Sequence, residues 1–405
     1  MDRQLHGRLD ELQRNPYPHY TRARTAEGLT FVPELDSWLV ARDADVREVL
    51  RRPEDFSSAN ALRPDVMPAP AALAVLGGGF GGHPVVVTAD GAHHQELRAP
   101  IVRGLSPARV AAVLPYAAER AAELVDTFAD DGRVDLMSAY AARLPGDVIG
   151  RIVGLDPEDV PALVHGGHRA EELLFRPLEE SEQIAAAEEV VAMQRLLDAF
   201  VRTRHADPRE DLGTELISAV AVPETELTLD QRHQLVGHLQ NLLIAGHLTT
   251  TALIGTTVLH LLRHPWQWEL LCAEPERIPA AIEEAARHDT ALQGFRRVTT
   301  RPVTLAGTEL PAGAALLIAF GAANRDPARH ARPDEFDITR TPVRHLAFGF
   351  GVHTCPGSQL AREQLRITLE QLTSRLPGLR LAEGTKVTMR PTLIHRSPER
   401  LELTW

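Results

Sequence analysis

The sequence predicts a mainly α-helical protein with a small β-rich region, and three observations carry this prediction. Residues 228–263 place small or apolar side chains three or four positions apart along almost the whole stretch. Similar stripes occur at 106–130, 183–205 and 358–376. Segments with the alternation or the turn residues of β-strands are few and short.

The longest stripe predicts a helix of about 30 residues, which would extend roughly 45 Å. Its apolar face comprises Leu235, Leu239, Leu242, Gly246, Thr249, Leu253 and Thr257. We expect this helix to run through the centre of the fold. The stretch 106–130 begins with Ser106 and Pro107, which are typical of a helix N-cap and first turn.

Strands are expected early, in the last third of the chain and at its end. Residues 30–40 suggest a hairpin, and 303–310 read as two strands joined at Ala306 and Gly307. Residues 391–405 are expected to add another pair. The β-rich part should therefore comprise about 28–60, 295–320 and 385–405. The length of 405 residues would by itself suggest two or three domains.

Composition and charge exclude several classes of protein. The 43 basic and 55 acidic residues leave a net charge of −12, which disfavours binding to nucleic acid. Two cysteines, Cys272 and Cys355, are too few for a disulfide framework or a multi-cysteine zinc site.

The first residues mix charges and do not resemble a signal peptide. The longest uninterrupted apolar run, 312–323, is shorter than the roughly 18–20 residues that span a bilayer. We therefore expect a soluble, cytoplasmic protein with no nucleic-acid or membrane partner.

Cys355 is the most informative residue of the chain. Three glycines surround it, Gly349, Gly351 and Gly357, and allow close approach of the backbone to another group. Pro356 and the polar run that follows predict a helix directly after the sulfur, and a helix N-terminus favours a thiolate. This setting suits a nucleophile or a metal ligand. For Cys272 the interpretation is a small buried apolar side chain.

The run from Phe348 to Gly357, FGFGVHTCPG, resembles the haem-binding loop of the cytochrome P450 (haem-thiolate) monooxygenases. In that pattern a Phe lies seven residues before the cysteine, a Gly four before, a basic residue two before and a Gly two after. Here these positions are Phe348, Gly351, His353 and Gly357. The resemblance implies that Cys355 is the axial thiolate ligand of a haem iron.

A second motif lies in AIEEAARHD, residues 281–289. Alone, Glu284 and Arg287 would be a solvated helix ion pair worth a few tenths of a kcal/mol. With the cysteine loop downstream, they resemble the Glu-x-x-Arg pair of the same family. The resemblance implies that the pair is buried and braces the segment 322–345, with Arg340 as a third member.

Four basic residues match positions that hold the haem propionates in the family. The segment 90–100 resembles the helix that carries a His and an Arg four apart, here His94 and Arg98. Arg297 lies in register at the entry of a strand, and His353 is the fourth. Each one alone is equally well explained as a surface charge. Together they imply a pocket for haem b, whose two carboxylates need cationic partners.

The central helix departs from the family pattern, which reads small-Gly-x-acid-Thr. Here Ala245, Gly246 and Thr249 match, with Thr250 next, but the acid is replaced by Leu248. The resemblance implies that the helix loosens at Gly246 to admit dioxygen, the co-substrate, and that Thr249 donates hydrogen bonds to it. Without the acid, protons must come from Thr249, Thr250, water or the substrate. This favours an atypical outcome, such as ring closure, phenol coupling, desaturation or substrate-assisted hydroxylation.

Other motifs receive plainer interpretations. The run of glycines in 77–82 lacks the lysine of a phosphate-binding loop and is expected to be a mobile surface loop. His260 and His264 lie four apart on a helix, but the glutamate of a zinc protease is absent. His165 and His168 are attributed to loop polarity. The Gly-x-Ser-x-Gly motif of serine hydrolases is also absent.

The resemblance covers nearly the whole chain and implies a single P450 domain over 1–405, a triangular prism of helices enclosing haem. It implies a soluble bacterial monooxygenase that oxidises a lipophilic small molecule, in secondary metabolism, as a monomer. Electrons would come from a separate ferredoxin and its reductase, docked near Arg344, Arg362 and Arg366.

The resemblance places the substrate among six apolar residues: Val86, Leu242, Ala245, Leu292, Phe295 and Ile394. Alternatives are a peroxide-driven haem-thiolate enzyme, a non-catalytic haem-binding protein and, should the resemblance mislead, an unrelated two-domain α/β enzyme.

Overall fold

The computed structural model describes residues 3–222 and 224–405, with side chains from residue 8 onward in the first helix. Its helices are α1 Arg3–Arg14, α2 Tyr17–Thr25, α3 Asp43–Arg51, α4 Pro70–Leu76, α5 Gly91–Gly104, α6 Pro107–Asp126, α7 Leu144–Val153, α8 Val160–Phe175, α9 Glu180–Ala206, α10 Leu212–Val220, α11 Leu229–Arg263, α12 Pro265–Ala273, α13 Ile278–His288, α14 Phe320–Ala323 and α15 Ser358–Arg375. The strands are β1 Thr30–Val32, β2 Ser37–Val40, β3 Phe56–Ser57, β4 Arg133–Asp135, β5 Gly294–Thr299, β6 Val303–Leu305, β7 Thr308–Leu310, β8 Ala315–Ala319, β9 Arg380–Leu381 and β10 Glu402–Thr404. The prediction of a mainly α protein with a small β-rich part is confirmed.

The backbone groups into two compact units. The single domain over 1–405 that the resemblance implies stays a prediction. The first unit comprises Met1–Ser57, Leu114–Leu144 and Thr249–Trp405. The second comprises Ser58–Val113 and Pro145–Leu248. The chain passes between the units after β3 and within α6, α7 and α11, so each unit is built from distant parts of the sequence.

The first unit contains a five-stranded sheet in the order β1-β2-β8-β5-β3. Strands β2 and β8 pair in parallel, and the other neighbours are antiparallel. Apolar side chains from this sheet and from α3 form a core that includes Val46, Phe56 and Ile318. Leu346 is fully buried in the same core, which fixes the start of the cysteine loop against the sheet.

The predicted hairpins are present. Strands β1 and β2 pair Thr30 with Leu39. Strands β6 and β7 are joined by Ala306 and Gly307, whose φ angles of 52° and 76° are those of a two-residue type I′ turn.

The end of the chain differs from the prediction of another strand pair. Only β10 forms there, pairing with β4 and β9 in a three-stranded sheet, while Met389 and Pro398 make an isolated bridge. Strands β4 and β9 lie outside the expected β-rich ranges, because two or three residues are too short to show periodicity.

The four predicted helical stripes correspond to α6, α9, α11 and α15, each within a few residues of the expected bounds. Helix α9 begins with a capping box in which Glu179 and Glu182 each accept from the other's backbone N–H. In the second unit α8 packs closely on α9, since a Cβ on Gly166 would lie 2.5 Å from the Cβ of Met193.

Helix α11 is long and apolar enough to cross a membrane, with a window of mean hydropathy 1.6. The search for uninterrupted apolar stretches in the sequence did not find α11, because threonines and histidines interrupt its apolar residues. Within the protein 78% of that window is buried, as is typical of a core helix, so its composition is weak evidence for a membrane span.

The glycine-rich segment at 77–82 is anchored rather than loose. The N–H of Phe80 donates to Oε1 of Gln194 at 2.8 Å, and the Phe80 ring lies 5.0 Å from the ring of His233. A Cβ on Gly79 would meet Gln194 Oε1 at 2.2 Å. Glycine at position 79 therefore allows a close approach to α9 and does not signal mobility.

Candidate functional site

Cys355 lies in a tight loop between the sheet and α15. Its N–H donates to the carbonyl oxygen of Phe348 at 2.9 Å, and the N–H of Gly349 donates to that of Leu346 at 2.9 Å. Cys355 is half-buried and forms no disulfide with Cys272, and α15 begins three residues later. These backbone hydrogen bonds hold the sulfur at a defined position instead of leaving it on a flexible strand.

Two glycines make the loop possible. Gly349 and Gly351 have φ angles of 71° and 73°, a region that L side chains rarely adopt. A Cβ on Gly351 would also lie 2.5 Å from the carbonyl oxygen of Leu50, at the end of α3. The conformation therefore requires glycine at 351 for two independent reasons.

Glu284 and Arg287 form a buried bidentate ion pair on α13, with both hydrogen bonds at 2.8 Å. The remaining guanidinium hydrogens of Arg287 donate to the carbonyl oxygens of Asn324 at 3.0 Å, Pro333 at 2.8 Å and Glu335 at 3.1 Å. The pair thereby ties α13 to the segment that leads to the cysteine loop. Removing either partner would leave a buried charge uncompensated.

Two further residues extend this bracing. Arg340 approaches Oε2 of Glu284 at 3.4 Å and donates to the carbonyl oxygen of Arg332. Asn324 accepts from the N–H of Leu346 at 2.6 Å and donates to Oγ1 of Thr290. The start of the cysteine loop is therefore held by a side chain that Arg287 itself helps to position.

The four basic residues predicted to hold propionates are divided between the units. In the first unit Arg297 is buried on β5 and His353 is half-buried in the turn before Cys355. In the second unit His94 is buried on α5 and Arg98 lies one turn later, half-buried.

Helix α11 carries the oxygen-chemistry residues and is α-helical from Leu229 to Arg263. The expected loosening at Gly246 is not present in this described segment. A Cβ at this position would lie 2.8 Å from Ile149, so the glycine lets α7 pack closely on α11. On the same helix Ala245 is exposed, Thr249 is half-buried and Thr250 is buried.

The six residues expected to contact the substrate also fall in both units. Leu292, Phe295 and Ile394 belong to the first, where Leu292 and Phe295 pack against the sheet core. Val86, Leu242 and Ala245 belong to the second. Val86 is half-buried, whereas Leu242 and Ile394 are buried.

The arginines expected to form a positive docking surface are mostly neutralised. Arg362 forms a bidentate pair with Glu283, and Arg366 pairs with Glu363 and Glu370. Arg344 is exposed, and within the described residues it has no ion-pair partner. Its guanidinium lies 5.7 Å from the ring of Phe350 in the cysteine loop.

Sequence reasoning overlooked the guanidinium that does accompany Arg344. Arg51, at the end of α3, lies 5.4 Å from the same Phe350 ring and likewise has no carboxylate partner in the described chain. No local pattern could have found it, because Arg51 and Phe350 are brought together only by packing of α3 against the loop.

A buried polar cluster around Asp289 was also overlooked. Its carboxylate accepts from Tyr17 Oη at 2.5 Å, from Arg396 Nε at 2.5 Å and from His260 Nε2 at 2.9 Å. Burial alone would raise the pKa of Asp289, but Arg396 and His260 hold it well below its usual range. Burial, reinforced by Asp289, raises the pKa of Tyr17 to about 12. The side chain of His260 is thus a partner of Asp289, while His264 donates Nδ1 to the carbonyl oxygen of His260 at 2.8 Å.

Each unit, taken by itself, contributes side chains of a kind that suits a haem group. The first unit offers one thiol on a loop whose glycines bring the backbone close to a neighbour, and two basic side chains. The second offers a buried His94 and an Arg98 on one face of a helix. A soft sulfur ligand is one of the axial ligands that haem iron accepts, and cationic donors suit the two carboxylates of the porphyrin.

Comparison with known proteins gives consistent results. The sequence model of the family described as Cytochrome P450 matches residues 277–377. Cytochrome P450 144 of Mycobacterium tuberculosis (strain ATCC 25618 / H37Rv) is 34% identical, over 97% of this chain and 89% of that protein. Nocardicin C N-oxygenase of Nocardia uniformis subsp. tsuyamanensis is 33% identical, over 91% and 90%. The structure of cytochrome P450 CREJ in complex with (4-ethylphenyl) dihydrogen phosphate superposes with a TM-score of 0.89 at 30% identity, covering 97% and 98%.

The fold and these similarities define a bacterial monooxygenase that uses a haem iron and dioxygen. The chain belongs to the cytochrome P450 family. The expected fold and class of enzyme are confirmed.

Proposed function

We propose that Cys355 is the axial thiolate of a haem b, and that the enzyme oxidises a lipophilic small molecule of secondary metabolism. The observation that carries this proposal is the cysteine loop, whose positive φ angles and backbone hydrogen bonds place the Cys355 sulfur just before α15. When bound, a haem with a thiolate ligand activates dioxygen for insertion of one oxygen atom into the substrate. The N-terminus of α15 favours the anionic sulfur that this requires.

The four basic residues would bind the two propionates. Arg297 and His353 from the first unit and His94 and Arg98 from the second supply donors with positive or potentially positive charge. Charge-assisted hydrogen bonds of this kind are about twice as strong as neutral ones. Residues 1–405 would then function as one cytochrome P450 domain.

Proton delivery would be atypical because Leu248 stands where the family has an acid. The hydroxyls of Thr249 and Thr250 remain on α11 and can pass protons from water or from the substrate. A substrate that brings its own acidic hydrogen suits ring closure, phenol coupling, desaturation or assisted hydroxylation. The similarity to Nocardicin C N-oxygenase supports a role in secondary metabolism.

Leu248 also favours a second candidate, a peroxide-driven enzyme. Hydrogen peroxide already carries the two protons and two electrons that dioxygen must otherwise receive, so no acid on α11 is needed. The side chain of Leu248 is 2% exposed and brings no proton donor to this part of the helix.

The electron donor would be a separate ferredoxin with its reductase, acting on a cytoplasmic monomer. Its docking surface would centre on Arg51 and Arg344, the two exposed guanidiniums beside Phe350. An acidic ferredoxin would be attracted to this local positive charge although the whole chain has a net charge of −12.

The reduced, carbon-monoxide-bound spectrum tests the proposal. Purified enzyme is expected to show the red-shifted Soret band of a thiolate ligand, and Cys355→Ser is expected to lose it. A wild-type protein without that band would refute the assignment of Cys355. Turnover with a ferredoxin system supports the monooxygenase, whereas turnover with peroxide alone supports the second candidate. A protein that shows the band but no turnover with either, across a panel of lipophilic substrates, would indicate haem binding without catalysis.

A further inference from the structure

Two adjacent glutamates on α13 face different parts of the first unit. Glu284 is committed to Arg287 and accepts from the N–H of Asp337 at 3.0 Å. Glu283 instead reaches the residues that flank the cysteine loop on both sides. The motif accounts for Glu284 and Arg287 but not for Glu283.

Glu283 receives hydrogen bonds from before and after the loop. Arg362, on the second turn of α15, donates Nε to Oε1 at 2.6 Å and Nη2 to Oε2 at 2.9 Å. His345, ten residues before Cys355, places Nε2 at 3.2 Å from Oε2. One carboxylate therefore ties both ends of the loop to α13.

The tautomer of His345 follows from its second contact. The N–H of Ala347 points at Nδ1 of His345 at 3.2 Å, so Nδ1 accepts. Nε2 must then carry the hydrogen and donate to Glu283. With this arrangement the imidazole satisfies both partners, and its side chain is only 5% exposed.

Arg362 also contacts the loop itself. Its guanidinium lies over the ring of Phe348, with the central carbon 4.2 Å from the ring centroid. The carbonyl oxygen of Phe348 accepts from the N–H of Cys355. The bidentate contact with Glu283 fixes the plane of the Arg362 guanidinium above the ring. Arg362 therefore restricts the movement of Phe348, the residue to which Cys355 is hydrogen-bonded.

We propose that Glu283, Arg362 and His345 are positioning residues that clamp the loop carrying Cys355 and preserve its ligation to the haem iron. The proposal rests on the assignment of Cys355 made above. The clamp is additional to the Glu284–Arg287 pair, which braces the segment upstream of the loop. The clamp also excludes Arg362 from the docking surface, because Glu283 neutralises the charge of Arg362.

The carboxylate stays charged under working conditions. Burial by itself would raise the pKa of Glu283, but the hydrogen bonds from Arg362 and His345 bring it to about 2. The pair of Glu283 with Arg362 is therefore expected to hold from neutral to mildly acidic pH.

The test follows the thiolate directly, without turnover. In mild urea, the red-shifted Soret band of the reduced carbon-monoxide complex converts to the band of haem that has lost its thiolate ligand. The rate of this conversion is measured. Glu283→Gln and Arg362→Gln are each expected to accelerate conversion about 10–100-fold, as removal of outer partners does at metal sites. The double variant should be no faster than the faster single variant, because both changes break one interaction.

Arg366→Gln is the matched control, since Arg366 lies one turn further along α15 and its ion-pair partners among the described residues are Glu363 and Glu370 on its own helix. Conversion at the wild-type rate is expected. If Arg362→Gln prevents folding, Arg362→Lys retains the charge but not the bidentate fork, and its rate should lie between wild type and Glu283→Gln.

Conversion of the Glu283 and Arg362 variants at the wild-type rate would overturn the clamp. The clamp would also be overturned if Arg362→Gln changed only the ferredoxin concentration needed for half-maximal reduction. A residue that docks the electron donor behaves in this way. Arg344→Gln supplies the reference for that behaviour. A wild-type enzyme without the red-shifted band would instead refute the assignment of Cys355, so the two failures are distinguishable.

Discussion

Asn at position 289 should be among the most destabilising conservative substitutions in the first unit. Asp289 is 2% exposed and faces Arg396, which is itself 7% exposed. Asp289→Asn leaves the shape nearly unchanged but removes the negative charge that balances this guanidinium. Tyr17 and His260 would also exchange a carboxylate acceptor for an amide.

The size of the effect follows from burial. Removing one partner of a buried ion pair typically costs about 3–5 kcal/mol, against about 0–1 kcal/mol for an exposed pair. Arg396 is held further by its bond to the carbonyl oxygen of Arg14 at 2.9 Å and cannot readily turn to solvent. We therefore expect a loss of about 3–5 kcal/mol in the free energy of unfolding, a large part of the 5–15 kcal/mol typical of proteins.

Urea denaturation followed by far-UV circular dichroism measures this loss. Asp126→Asn is the matched control: it is the same chemical change in an ion pair with Arg375, but the Asp126 side chain is 65% exposed. It should cost no more than about 1 kcal/mol. If Asp289→Asn costs no more than this control, the carboxylate does not balance Arg396, and the reasoning from burial fails.

The pH dependence supplies a second check on the same variant. Because the pKa of Asp289 is depressed in the folded state, its contribution is complete above the unfolded value of about 3.9 and is lost as the pH falls further. The difference between wild type and Asp289→Asn should therefore be constant from about pH 5 to about pH 8 and narrow below about pH 4.

Two further predictions concern the cysteine loop and acid stability. Gly351→Ala should reduce the haem content of purified protein far more than Gly349→Ala, although both incur left-handed strain of about 1–2 kcal/mol. The added Cβ would lie 2.5 Å from the carbonyl oxygen of Leu50 at position 351, but at an ordinary 3.6 Å from that of His353 at position 349. Equal haem contents would show that the contact with α3 is unimportant. Burial and the nearby charge of Arg287 lower the pKa of His330 to about 4. The contribution of neutral His330 to stability is therefore complete above the unfolded pKa of about 6.5 and is lost as the pH falls toward 4. His330→Gln should therefore flatten the fall in unfolding free energy between pH 7.5 and pH 5, and an unchanged slope would contradict this.

The features that could be predicted from the sequence are those whose conformation depends on residues close by along the chain. The stripe of α11, the hairpin at Ala306 and Gly307 and the loop around Cys355 are local patterns, in which spacing or the need for glycine restricts the conformation. The residues of the resemblance, from Phe348 to Gly357, lie within ten consecutive positions. The fold class followed from such patterns, and the enzyme class from the resemblance.

Only the tertiary structure decided which partner each charged or small residue has. Arg362 was expected to face an electron donor, yet it pairs with Glu283, 79 positions away, because α13 and α15 lie side by side. Gly246 and Gly79 were interpreted as loosening the chain, and both instead admit a side chain of another helix. Spacing in the sequence indicates which residues share a face of one element, but the side chain opposite that face depends on the packing of distant segments.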